Sequence, residues 1–183
     1  ITIELREILL NDRPKNLYEI SQKGTIPVLK INNLLLDESL DIMMWAIKKS
    51  NINWLDNDKN RQLNMINVND TDFKYWLDRY KYYNRYPNFN KEYCKNRAIE
   101  ILVTYEKILN SNNFLGGQNI GMVDIAIFPF IRQFCNVDSD WFMNEYHSLG
   151  KWLYQLMKSK LFNSVMNKYK QWDDECSPLI IKF

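Results

Sequence analysis

Metal ligands, long hydrophobic runs and a dominant charge are all scarce in this chain, and each scarcity removes a class of function. Histidine occurs once, as His147, and cysteine three times, as Cys94, Cys135 and Cys176. The thiols are far apart, odd in number and in no C-x-x-C pair, which argues against a zinc site or a disulfide framework. No metal is expected, and this thiol usage fits a reducing, cytoplasmic compartment. The longest apolar stretch, Met122–Phe130, is interrupted by Asp124. It falls well short of the ~20 apolar residues of a bilayer-spanning helix. The formal net charge is only +2, with acids and bases interspersed. That leaves no basic stripe for nucleic acid, and no RNA-binding signature accompanies it. Neither a membrane nor nucleic acid is expected as a partner.

What remains is a chain of 183 residues, 46% hydrophobic and 14% aromatic, enough to bury a core in one ordinary domain or two small ones. The opening "ITIELREILL" alternates Ile1, Ile3 and Leu5 with Thr2, Glu4 and Arg6, the pattern of a half-buried strand. A short helix is expected after Pro14, a residue suited to a first helical position. "IPVLKI" and "LLLDE" flank Asn32-Asn33, which tolerate the positive φ angles of a two-residue hairpin. Ser39 opens a helix with Leu40, Met43, Met44 and Ile47 on one face, and Glu38 and Asp41 place negative charge at its positive end.

Residues 51–58 are polar and turn-rich and read as a linker. Everything after them reads helical: Lys59–Asn67, a stretch from Asp70, and one with Ala98, Ile101, Leu102, Tyr105, Ile108 and Leu109 on a face. Two shorter helices are expected near the end of the chain. Gly116-Gly117 breaks the chain before "GMVDIAIFPFIRQF", which is apolar nearly all round and so is expected to be the central buried helix. Asp124 lies three residues after Gly121, where its carboxylate can reach back to a free backbone N–H. Strands followed by a run of helices argue for two subdomains: residues 1–50, the linker 51–58, and residues 59–183.

"KGTIPVLKINNLLLDES", Lys23–Ser39, carries the chemistry. A proline at the head of an apolar strand has no N–H for the ladder. If the Ile26-Pro27 bond is cis, the amide and carbonyl of Ile26 turn outward and can pair with an extended peptide as a strand would. A trans proline that merely starts a strand is the plainer reading. Glu38-Ser39 at a helix start can hold an amino acid head, the carboxylate of Glu38 taking an ammonium and the amides and Ser39 hydroxyl taking a carboxylate. An ordinary helix cap explains the same two residues.

The ordered set resembles the cytosolic glutathione transferases over essentially the whole chain. It comprises Arg13-Pro14, "KGTIPVL", the hairpin, "DES" before an amphipathic helix, and the helix with Asp124. The spacing from Arg13-Pro14 to Ile26-Pro27 resembles omega-class and related bacterial thiol-active members, and "FKYWLDRYKYYNRYP" resembles a segment of certain bacterial members. The resemblance implies an α+β two-subdomain glutathione-transferase fold, with a thioredoxin-like N-terminal domain, incomplete here, and an all-α C-terminal domain. It implies glutathione as substrate, with Ile26 ahead of a cis Pro27 pairing through its backbone with the cysteinyl unit. Glu38 and Ser39 would hold the γ-glutamyl end. Arg13, with Lys23 as a weaker candidate, would meet the glycine carboxylate. Asp124 would be structural, and Gly121 departs from the usual Ser or Thr at that cap.

Family members have a strand and a helix ahead of the strand that Ile1–Leu10 resembles, and the residue that addresses the glutathione sulfur lies there. The catalytic group, a Cys, Ser or Tyr, is therefore expected in a preceding segment of roughly 30 residues, the size of a strand–helix unit. None of the three cysteines matches that position. The implied activity is conjugation of glutathione to a small electrophile, or thiol–disulfide exchange with a disulfide. The same scaffold also serves as a non-catalytic protein-binding module in stringent starvation protein A and translation-factor gamma subunits. A homodimer is expected because the family usually dimerises. Trp76, Tyr80 and Tyr83 fall at i, i+4 and i+7 with Arg79 nearby, and either wall a second-substrate pocket between the subdomains or belong to the core or a dimer interface.

Overall fold

The structure, a computed structural model, describes residues 1–55 and 58–182. Its contacts divide the chain into two units, one of Ile1–Ser50 with Ser164–Phe183 and one of Asn51–Asn163.

The first unit contains β1 (Thr2–Leu5), α1 (Lys15–Ile20), β2 (Leu29–Ile31), β3 (Leu34–Leu36) and α2 (Ser39–Ser50). β2 and β3 form the expected hairpin, with Leu29 opposite Leu36 and Ile31 opposite Leu34. Asn32 carries the left-handed turn conformation at φ 52°, which asparagine tolerates because its short amide can bond locally.

β1 departs from expectation. Its partner is β4 (Leu179–Lys182), antiparallel, with Thr2 opposite Lys182 and Leu5 opposite Leu179. The unit therefore holds two separate two-stranded sheets, β1–β4 and β2–β3. Residues 59–183 were expected to be all helical, and this is corrected: the chain from Ser164 onward belongs to the sheet unit. The physical reason lies in "PLIIK". Two adjacent isoleucines after a proline suit a pleated strand, and they satisfy backbone groups along the exposed edge of β1. The segment before β4 is tied down as well. Trp172 N–H donates to the Glu7 carbonyl at 2.7 Å, and Arg6 lies 4.5 Å over the Trp172 ring.

The second unit is helical. α3 (Lys59–Val68), a π-helical turn at Asn69–Phe73 and α4 (Lys74–Lys81) run on without a break, where the sequence suggests two separate stretches. α5 (Lys91–Leu109), α6 (Met122–Cys135), α7 (Ser139–Glu145), α8 (His147–Met157) and α9 (Lys160–Ser164) follow. The stripe on α5 behaves as the periodicity requires: Ala98, Leu102, Tyr105 and Leu109 are buried. α6 is the central element, burying Met122, Val123, Ile127, Phe128, Ile131 and Phe134, and Pro129 lies within it.

The stretch 51–58 is not a free linker, and its residues 56 and 57 lie outside the described residues. Leu55 is buried, and the Trp54 carbonyl accepts from Met122 N–H and Gln62 Nε2, each at 3.1 Å. The apolar side chain and these two bonds hold the stretch on the helical unit.

Asp124 organises the start of α6. Fully buried, its carboxylate accepts from the amides of Leu115 at 2.7 Å, Gly116 at 3.1 Å and Gly121 at 2.9 Å, and from Trp152 Nε1 at 2.8 Å. Burial pushes its carboxyl above the ordinary range, and the four donors oppose that rise. Only half of a capping box is present, because Gly121 has no side chain to return a bond. Gln62 of α3 supplies the missing half: its Oε1 accepts from Val123 N–H at 3.1 Å. A β-carbon on Gly121 would come within 2.7 Å of that oxygen. Gly121 and Gln62 are therefore a matched pair.

Among the described residues, no helix is long and apolar enough to cross a membrane.

Candidate functional site

The loop from Ser21 to Pro27 is the hub of the sheet unit. It leaves α1 through Ser21, whose N–H donates to the Leu17 carbonyl at 2.8 Å and whose carbonyl accepts from Gly24 N–H at 3.0 Å. Gly24 turns at φ 60°, and a β-carbon there would collide with the Tyr18 ring. Both the left-handed conformation and the close approach require glycine. The loop ends at Ile26-Pro27, which is cis. Ile26 is exposed, and among the described residues its N–H and C=O make no backbone hydrogen bond.

Charged groups tie this loop at two places. Arg13 donates from Nε to the Leu10 carbonyl at 3.1 Å and from Nη1 to the Gly24 carbonyl at 3.0 Å. It braces the loop and keeps further N–H donors. Within the loop, Lys23 Nζ lies 2.6 Å from Glu38 Oε1 and 3.2 Å from Asp37 Oδ1. Asp37 also accepts from the buried Ser21 hydroxyl at 3.0 Å. Hydrogen bonds that Lys23 donates to Glu38 and then to Asp37 raise its pKa. Those from Lys23 and then Ser21 lower that of Asp37. Glu38 and Ser39 stand where α2 begins, the Glu38 carbonyl accepting from Ile42 N–H at 3.1 Å. Hydrogen bonds and chain continuity thus gather Arg13, Lys23, Ile26, Pro27, Glu38 and Ser39 around one loop. Lys23, the weaker candidate for the glycine carboxylate, bonds the acids at the start of α2.

Sequence reasoning missed Ser21 and Asp37. Asp37 was visible beside Glu38 in "DES", whereas nothing in the chain marks Ser21 as buried.

The four aromatic and basic candidates do not share a wall, which corrects that expectation. Tyr80 is core, its ring 5.1 Å from Phe134, and burial raises its hydroxyl pKa. Tyr83 is exposed beneath Lys91 Nζ at 4.7 Å. Arg79 stacks 3.3 Å over Tyr75. Of the four, Trp76 lines a cavity of about 490 Å³, with Asp72, Tyr75, Arg97, Glu100 and Ile101. The reason is periodicity: Leu77 and Tyr80 take the buried face of α4, which turns Trp76 to its flank.

The thiols also differ among themselves. Cys94 and Cys135 are buried, and burial raises both pKa values. Cys176 is half-buried, 3.5 Å from Lys170 Nζ, in a second cavity of about 690 Å³ with Trp172 and Leu179.

The family model of the glutathione S-transferase N-terminal domain matches residues 1–54, and that of the C-terminal domain matches residues 70–163. The chain belongs to the glutathione S-transferase family. A curated relative, "Probable glutathione S-transferase parA" of Nicotiana tabacum, is 28% identical over 148 residues, 76% of this chain and 64% of its own length. The chain thus spans less than two thirds of that relative. Solved structures share the glutathione-transferase fold. A Gtt2-class glutathione S-transferase of Vibrio parahaemolyticus matches with TM-score 0.69 at 18% identity, over 86% of this chain and 81% of its own. A glutathione transferase family member of Pseudomonas fluorescens Pf-5, solved with two glutathione bound, matches with TM-score 0.70 at 15% identity, over 82% and 74%.

Proposed function

We propose that the chain binds glutathione and is part of a glutathione-dependent transferase, acting on small electrophiles or disulfides. The observation that carries this reading is the exposed Ile26 main chain, free of backbone partners among the described residues, in a loop where cationic Arg13 bonds the Gly24 carbonyl and acidic Glu38 bonds Lys23. An extended tripeptide offers groups complementary to all three. Its cysteinyl amide and carbonyl pair with Ile26 as a strand would. Its glycine carboxylate meets the remaining donors of Arg13, and its γ-glutamyl head meets Glu38 and Ser39. The two glutathione molecules bound in the Pseudomonas fluorescens relative support the ligand class. Trp76 is the second-substrate candidate we retain, since it faces a cavity and Tyr80 does not.

The activity needs a thiolate, and a free thiol of pKa ~8.5 is only a few per cent ionised at neutral pH. The transferase reading therefore requires a group that stabilises the charged sulfur beside Ile26.

Calorimetric titration with reduced glutathione tests the binding. We expect saturable binding that Glu38→Ala weakens by about tenfold or more, the effect of one charge-assisted hydrogen bond. Absence of binding to the wild-type chain overturns the reading.

A further inference from the structure

Lys23 was a candidate for the glycine end of the ligand, yet its ammonium is bonded to Glu38, the residue proposed above for the γ-glutamyl head. It bridges Glu38 Oε1 at 2.6 Å and Asp37 Oδ1 at 3.2 Å. Asp37 is fixed from behind by the hydroxyl of Ser21, which is 1% exposed. Two carboxylates against one ammonium leave one negative charge unmet. An ammonium has three N–H donors and no acceptor. With two donors on the acids, Lys23 keeps one for an incoming group, and that group must be an acceptor.

We propose that Lys23 is a specificity-determining residue that binds the α-carboxylate of the ligand's γ-glutamyl head, while the Asp37–Glu38 pair it bridges takes the α-ammonium. This inference rests on the binding of glutathione proposed above and deepens it. The charged groups then alternate in sign: ligand ammonium on the two acids, acids on Lys23, Lys23 on the ligand carboxylate. Each charge sits beside its opposite, an arrangement that a ligand lacking either head charge cannot complete. Lys23 thus reads a free α-amino acid head. A simple counter-ion for Glu38 would instead have to be displaced by the ligand.

Three probes separate these roles: glutathione, γ-glutamylcysteine without the glycine, and 4-aminobutyryl-cysteinylglycine without the α-carboxylate. Each is titrated calorimetrically into the wild-type chain and into Lys23→Met and Lys23→Arg variants. Lys23 is half exposed at the surface, and circular dichroism confirms that the variants keep the wild-type fold. Lys23→Met should weaken glutathione and γ-glutamylcysteine alike, by about tenfold, one charge-assisted bond at a partly exposed site. It should leave the decarboxylated probe unchanged, and Lys23→Arg should recover most of the lost affinity. Three results overturn the inference while leaving the glutathione reading intact. They are a loss with glutathione that vanishes with γ-glutamylcysteine, tighter binding by Lys23→Met, and equal affinity of Lys23→Met and wild type for glutathione. No binding of any probe to the wild type overturns both.

Discussion

In the helical unit, side chains as large as Phe73, Leu102, Ile127 and Trp152 are sealed from water, whereas among the described residues of the sheet unit only Ser21 and Gly24 are buried. The helical unit is held by apolar burial, at about 25 cal/mol per Å² removed from water. The sheet unit is held at its candidate-site loop by polar ties that remain partly in solvent: Arg13 to Gly24, Ser21 to Asp37, and Lys23 to Asp37 and Glu38. Exposed ion pairs of this kind are weak one by one and screened by salt. The candidate binding residues therefore sit in the part whose local opening costs least, where a ligand's contacts have most influence on order.

The comparison breaks most easily at Asp124. If the helical unit depends on its buried carboxylate as well as on its apolar core, Asp124→Ala strands three backbone amides and the Trp152 indole. We expect a loss of about 3–5 kcal/mol in urea unfolding, the scale for removing one partner from a buried charged network. An unchanged midpoint would mean that apolar packing alone sets this unit's stability.

A smaller and sharper effect belongs to the Gln62–Gly121 pair. Gln62→Ala removes the acceptor of Val123 N–H and the donor to the Trp54 carbonyl, for about 2 kcal/mol. Gly121→Ser alone should also destabilise, because its β-carbon meets Gln62 Oε1. Together the two changes should cost less than their sum by at least about 1 kcal/mol. The new hydroxyl then caps α6 in the space the glutamine vacated, with the Gly116 Cα at 3.3 Å still in contact. Simple additivity would show that the glutamine does not act as the cap.

Much of this was legible in the chain because it rested on local rules. The i, i+3, i+4 stripe located α5, Asn32-Asn33 the hairpin, and Gly121 with Asp124 the start of α6. The candidate glutathione-binding residues came from an ordered motif. What escaped depends on long-range partners. β4 is four residues with no period longer than itself, and only its pairing with β1 makes it a strand. Gln62 is an unremarkable helix residue until α6 lies beside it. Tyr80 and Trp76 share one stripe at helical spacing, and the sequence cannot say which flank of it the core will cover. The partners of Lys23 were not legible because a loop lysine can reach either way, and only the fold brings Asp37 and Glu38 to it.

The smallest expected effect, and the most selective, concerns pH. Asp37 titrates below its ordinary 3.8 because Lys23 and Ser21 hydrogen-bond the charged form. That contribution is in place above pH 3.8 and is lost as pH falls through the lowered value. Lys23 titrates above its ordinary 10.5 because Glu38 and Asp37 hydrogen-bond its charged form. That contribution is in place below pH 10.5 and is lost as pH rises through the raised value. Amide hydrogen-exchange protection in β2 and β3, corrected for the intrinsic effect of pH, should therefore be level between these limits and decline outside them. Added salt should lower the plateau slightly. Ser21→Ala, which removes one of the two bonds holding Asp37, should start the acid-side decline at a higher pH. Protection in α5 and α6 should not follow that substitution. If it shifts in step with β2 and β3, the polar ties are not local to the sheet unit, and the contrast between the two units fails.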